Sequence, residues 1–138
     1  MKRLAGAVVA LGFLACAGGP GELRIDEAWA WPTVSGPTAA YVTIVNGTAE
    51  EDRLIGARST CCRSIEIHRT EIDGDRMRMS PATDGIAVAV GDTVTLEPGG
   101  HHLMLFEPVE PLRVGEHFEL TLIFEDAGEL AVEAAIRR

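Results

Sequence analysis

His68, Met79, His102 and Met104 are the residues of this 138-residue chain whose types and spacing could do chemistry. Ten residues separate the first two, 22 separate Met79 from His102, and one separates His102 from Met104. Imidazole and thioether together make an unusual donor set. Thioether sulfur is soft and uncharged and suits Cu(I), while imidazole accepts copper in either oxidation state. Without thiolate or carboxylate the four donors add no negative charge, so hard cations such as calcium or magnesium gain little from them. The pattern points to reduced copper.

Each residue also has an ordinary reading. A single surface histidine usually does nothing, and a single strand methionine is usually core filler. Concentration favours chemistry here. Two His and two or three Met candidates fall between residues 68 and 104, in a chain that has four of each type, Met1 included. Met77 shares a parity with Met79, so either sulfur could serve. His101 competes with His102, but strand parity sets it against Met104. His117 reads as an ordinary surface histidine.

The elements that must position these side chains are strands. Past the first twenty residues the apolar pattern alternates with period two, and no long 3.6-residue period appears. A first strand is expected at 23–31, with Leu23, Ile25, Trp29 and Trp31 on one parity and Pro32 ending it. The next, 39–46, closes at the turn signal Asn46-Gly47. Further strands are expected at 53–59, 64–69, 75–79, 86–90, 93–96, 102–106, 117–124 and 130–136, separated by glycine-bearing turns. Eight to ten short strands at this spacing predict an all-β sandwich or barrel. Phe118, Leu120, Leu122 and Phe124 form an apolar stripe that needs a facing sheet.

Parity then assigns faces. Ile65 and Ile67 are natural core residues, which puts His68 on the opposite face with Glu66, expected to be exposed. Leu103 and Leu105 take one face of their strand. His102 and Met104, two residues apart, share the other and can grip one ion.

The ends and the composition bound the rest. Lys2 and Arg3 precede an apolar run, Leu4 to Ala15, followed by small residues, which reads as an export signal over residues 1–17. The run is too short to span a bilayer comfortably. Two processing routes fit: cleavage after Ala17 at Ala15-Cys16-Ala17, or a lipid-carrying Cys16 as in bacterial lipoproteins. Either makes the protein exported, periplasmic or lipid-anchored on the extracytoplasmic face of a membrane. A single domain over 18–138 remains, with 10 Lys+Arg against 21 Asp+Glu, a formal charge of −11. So acidic a surface excludes nucleic acid and anionic lipid as partners. Contact with a membrane would come only through Cys16. Acidity suits cations or a basic protein patch, and equally suits plain solubility.

Cys61-Cys62 is a vicinal pair, whose disulfide would close a strained ring and staple nothing distant. A structural feature of a loop or strand edge is expected, with an auxiliary soft-metal or redox site as the alternative. Asn46-Gly47-Thr48 matches a glycosylation sequon but reads as turn chemistry.

On these residues the chain resembles the periplasmic copper chaperones of the PCuAC type, whose signature is H-x10-M-x21-H-x-M. His68 and Met79 match the first spacing, and His102-Leu103-Met104 matches the terminal H-x-M; the interval from Met79 to His102 is one residue longer than the pattern. Asp26-Glu27-Ala28-Trp29, Ile65-Glu66-Ile67-His68, Pro98-Gly99-Gly100-His101-His102-Leu103-Met104 and Leu120-Thr121-Leu122-Ile123-Phe124 recur there in order. The resemblance implies a cupredoxin-like β-sandwich or Greek-key barrel. It further implies a monomer binding one Cu(I) at an exposed site through His68, Met79, His102 and Met104. Family members pass copper to an acceptor such as the copper subunit of cytochrome c oxidase or a Sco-type chaperone.

Three other function classes compete. A blue-copper electron carrier needs a Cys thiolate beside two His, and here Cys61 and Cys62 precede every histidine. An enzyme is disfavoured because nothing resembles a Ser/His/Asp set or a zinc hydrolase signature. A metal-free structural sandwich is the third.

Overall fold

The computed structural model describes residues 21–138, and the expected export segment with Cys16 lies outside the described residues. Ten strands follow the alternating stretches: β1 (Leu23–Ala30), β2 (Thr38–Asn46), β3 (Asp52–Arg58), β4 (Cys62–Asp73), β5 (Arg76–Pro81), β6 (Ile86–Val88), β7 (Thr93–Thr95), β8 (His101–Pro108), β9 (His117–Phe124) and β10 (Gly128–Ile136). No helix occurs among the described residues. The strands pair in the order β5-β4-β8-β2-β1-β10-β9-β3-β6, and a further pairing of β4 with β3 closes seven of them into a ring. The β1–β10 pairing is parallel and the rest are antiparallel. β5, β6 and β7 hang on the ring as short outer strands. The fold is a cupredoxin-like all-β barrel, as expected.

Inside the ring sits one apolar core. Phe118, Leu120, Leu122 and Phe124 all point into it, meeting Ile44, Leu54, Leu96, Leu103 and Leu105. Closure is what makes this possible. A lone strand cannot cover its apolar face, but seven strands in a ring cover one another's and leave no bare edge.

The reading of the first strand is corrected. The β1–β2 register slips between Ile25 and Glu27. One extra residue there reverses the alternation downstream, so Leu23 and Ile25 enter the core together with Ala28 and Ala30. Trp29 and Trp31 are consequently excluded from the interior. They pack outside the barrel, the Trp29 ring 4.7 Å from Tyr41 and 5.0 Å from Trp31 between centroids. The Arg137 guanidinium lies 4.6 Å over Trp29. This aromatic layer lies beside the candidate site.

Asn46 shows why the chain turns where it does. Its buried amide donates to the carbonyls of Glu50 and Val88, and its carbonyl oxygen accepts from the Thr48 amide and hydroxyl. That network is turn chemistry.

Candidate metal centre

β4 runs beside β8 in antiparallel register, and the register puts His68 directly opposite His102, Glu66 opposite Met104 and Ser64 opposite Phe106. Because alternate residues share a face, His68, His102, Met104, Glu66 and Phe106 stand together on the outside of the ring. The opposite face of the same strands carries Ile67, Leu103 and Leu105 into the core.

On its other side β4 pairs with β5, with Thr70 opposite Met79 and Ile72 opposite Met77. Met79 is therefore a diagonal neighbour of His68, and Met104 is the diagonal neighbour on the far side. Diagonal positions lie about 7–8 Å apart at the backbone, within reach of long side chains. Met77 falls two residues farther out, so the register favours Met79 over Met77 as the partner of His68. His101 sits opposite Arg69, on the parity of Leu103 and Leu105 and away from Met104, as parity predicts.

The expected exposure of His68 is corrected: its side chain is only 12% exposed. His102 is 2% exposed. Both lie outside the barrel yet are covered, because rings pack against them edge-on or tilted. The His68 ring is 5.7 Å from that of His102 and 5.9 Å from Phe106, and Tyr41 approaches His102 at 6.4 Å. The methionines form the rim. Met104 is half-buried, whereas Met79 is 54% exposed.

Hydrogen bonding fixes which imidazole nitrogens are bare. His68 Nε2 lies 2.9 Å from a Glu66 carboxylate oxygen, and His102 Nδ1 lies 3.3 Å from the Gly100 carbonyl. Both partners can only accept, so both of these nitrogens carry the proton. The other two, His68 Nδ1 and His102 Nε2, keep their lone pairs. Both are buried and neither has a hydrogen-bond partner. A buried, unpaired acceptor is costly, and a lone pair held in place by a hydrogen bond on the far ring nitrogen is how metal-binding histidines are arranged.

The His102 imidazole titrates below its ordinary range. Burial is the main cause. The Gly100 hydrogen bond opposes it, and the nearby His68 and His101 reinforce it. A neutral His102 is a competent donor.

No group of three or more His, Cys, Asp or Glu residues able to hold a metal occurs among the described residues. Two imidazoles alone underfill a soft-metal site, and the neighbours that could complete it are thioethers. Cys61 and Cys62 are free thiols. Cys62 is buried at the start of β4, six residues and thus about 20 Å of strand from His68. Burial first, then its neighbour Cys61, pushes the Cys62 thiol up to about 12, so it stays protonated. The thiolate that a blue-copper centre requires is not at this site.

Sequence reasoning missed Glu66, Gly100, Tyr41 and Phe106 as parts of the site. Glu66 carried a signal, since it precedes His68 by two on the same strand face. Phe106 carried one too, on the strand and parity of His102 and Met104; the place of Trp29 and Trp31 beneath Tyr41 did not, because it depends on the slip in β1.

The comparisons bear on family and fold. A family profile described as "Putative lipoprotein LpqE-like" matches residues 23–136. "Putative lipoprotein Lxx21020" of Leifsonia xyli subsp. xyli is 30% identical over 115 residues, 83% of this chain and 69% of that one. Among solved structures, a copper-bound PCuAC domain from PmoF2 is similar with TM-score 0.70 and 30% identity, covering 87% of this chain and 96% of that one. The CuI-DR1885 solution structure from Deinococcus radiodurans is similar with TM-score 0.57 and 28% identity, covering 80% and 76%.

Proposed function

This chain belongs to the LpqE-like family of PCuAC-type domains, and we propose that it is an extracytoplasmic copper carrier that binds one Cu(I) through His68, Met79, His102 and Met104. One observation carries this reading. His68 and His102 oppose each other, each with a bare, buried nitrogen, on the one face that also holds all three methionines of the described residues. The donor types are neutral and soft, which suits a monovalent copper ion.

The division into sunken imidazoles and rim thioethers explains holding and release together. His68 Nδ1 and His102 Nε2 are oriented by Glu66 and Gly100 before any ion arrives, so little ordering is lost on binding. Met79 and Met104 stand at the edge, where an incoming acceptor ligand can replace a thioether while the imidazoles still hold. A thiolate-bearing acceptor binds Cu(I) more tightly than this neutral set and draws the ion off. The acceptors we favour are the copper subunit of cytochrome c oxidase and Sco-type thiol proteins. The protein acts as a monomer and as a carrier rather than a catalyst. Its place outside the cytoplasm rests on the signal-like residues 1–17 and on the lipoprotein descriptions of its relatives.

The test is anaerobic titration against a chromophoric Cu(I) chelator. The wild type takes one equivalent, and the double substitution His68→Ala, His102→Ala abolishes uptake. Equal uptake by that variant contradicts the assignment.

A further inference from the structure

Met77 is unexplained by the site just described. It is 67% exposed, and so contributes nothing to the core. It lies opposite Ile72, itself 69% exposed, near the tip of the β4–β5 hairpin, whose turn is Gly74-Asp75. Two large apolar side chains held out in water on a hairpin arm gain nothing for stability. Their position is informative. Thr70, Ile72, Met77 and Met79 share the face that carries His68, His102 and Met104. The three methionines of the described residues thus form a row: Met77 at the tip, Met79 at the rim, Met104 beside the imidazoles. Met77 and Met79 are two residues apart on one strand, about 7 Å. Two flexible thioethers at that spacing can touch the same ion.

We infer that Met77 is a transient entry ligand: its sulfur receives Cu(I) from the donor first and passes it to Met79, without being a ligand of the resting site. This rests on the copper-carrier reading above. In the first step a bond forms between copper and the Met77 sulfur as the donor's bond to copper breaks. In the second the Met79 sulfur bonds to copper as the Met77 bond breaks. Copper stays monovalent throughout, both thioethers stay neutral, and no proton or electron moves. The donor is any soluble Cu(I) complex whose ligating atoms are neutral, such as ring nitrogens. Exchange at Cu(I) goes most readily when the incoming ligand binds before the outgoing one leaves, and the buried imidazoles cannot be approached directly. A ligand at the tip of an exposed arm can.

The test compares wild type with Met77→Leu, Met79→Leu and Met104→Leu, a volume-conserving change at surface or rim positions. Stopped-flow uptake from, and release to, the Cu(I)–bicinchoninate complex is measured beside equilibrium competition. Met77→Leu is expected to leave the dissociation constant within about twofold of wild type. It slows uptake and release by the same factor, about tenfold, because a neighbouring intramolecular ligand is lost. Met79→Leu and Met104→Leu weaken the equilibrium instead. A loss of affinity in Met77→Leu equal to that of Met79→Leu would make Met77 a resting ligand and overturn the inference; unchanged rates would make it a bystander and do the same. Failure of the wild type itself to take up Cu(I) would instead remove the carrier reading. A copper-free readout is available with methionines labelled at the ε-methyl carbon: during Ag(I) titration the Met77 methyl signal should broaden at substoichiometric metal and sharpen near its starting position at one equivalent.

Discussion

His68 and His102 face each other across the β4–β8 ladder, and their ring centroids are 5.7 Å apart. Each is pinned at one nitrogen by an acceptor and bare at the other. Nothing else in the described residues repeats that arrangement. Two residues 34 apart in sequence, on separate strands, have been brought into the one register that makes it possible.

The rim methionine nearest the imidazoles is the first point to test. Met104→Ile should weaken Cu(I) binding by about 100-fold, since loss of a direct ligand must exceed the 10–100-fold typical of outer partners at the low end. The fold should survive, with a stability change of about 1 kcal/mol, because Met104 is only half-buried. Chelator competition and urea unfolding check the two halves. Unchanged affinity would remove Met104 from the site.

Glu66 holds His68 in its tautomer without needing to touch the ion. Glu66→Ala should lower Cu(I) affinity by about tenfold. Glu66→Gln, whose amide oxygen still accepts from Nε2, should recover most of that loss. Equal losses in both variants would assign the carboxylate a charge role instead.

The burial of His102 has a consequence for pH. Its folded-state titration lies below the ordinary value, chiefly through desolvation. The unfolded chain therefore binds more protons than the folded one as pH falls below about 6.5. Stability of the copper-free protein is unaffected above that value. It declines as pH falls through it and levels off below the folded value, with a slope from this group of at most about 1.4 kcal/mol per pH unit. Urea unfolding at pH 7.5 and 5.5 should show the decline. His102→Phe, which cannot be protonated, should flatten it; an equally steep decline in that variant would place the effect elsewhere.

The thiols should prove irrelevant to copper. Cys62 packs in the core with its sulfur 3.6 Å from the Ser64 carbonyl, and its raised titration keeps it protonated. Cys61→Ala with Cys62→Ala should cost about 1–2 kcal/mol of stability from the vacated core volume. Copper stoichiometry and affinity should stay the same. A drop in either would bring a thiolate into the site.

How much of this was readable from the sequence differs between levels. Strand positions came through well, since period-two alternation is a local property and β9 shows it without interruption from Phe118 to Phe124. Parity also gave the shared face of His102 and Met104, because both lie on one strand. It could not give the pairing of His68 with His102, since register between distant strands is set by the whole ring. Nor could it give the slip between Ile25 and Glu27, which needs only one extra residue and leaves no compositional mark. That slip sends Trp29 and Trp31 outward, where they pack on Tyr41, the residue that covers His102. The misjudged burial of His68 follows from the same limit. An outward-facing strand residue is exposed only if nothing is packed on the outside, and Phe106 is.

X-ray absorption of the reduced, copper-loaded protein tests the central claim most directly. One copper per chain is expected, with an edge typical of Cu(I) and a shell of two nitrogen and two sulfur neighbours, and with sulfur lost stepwise in Met79→Leu and Met104→Leu. A shell of nitrogen and oxygen alone, or one that keeps both sulfurs in the double methionine variant, would contradict it.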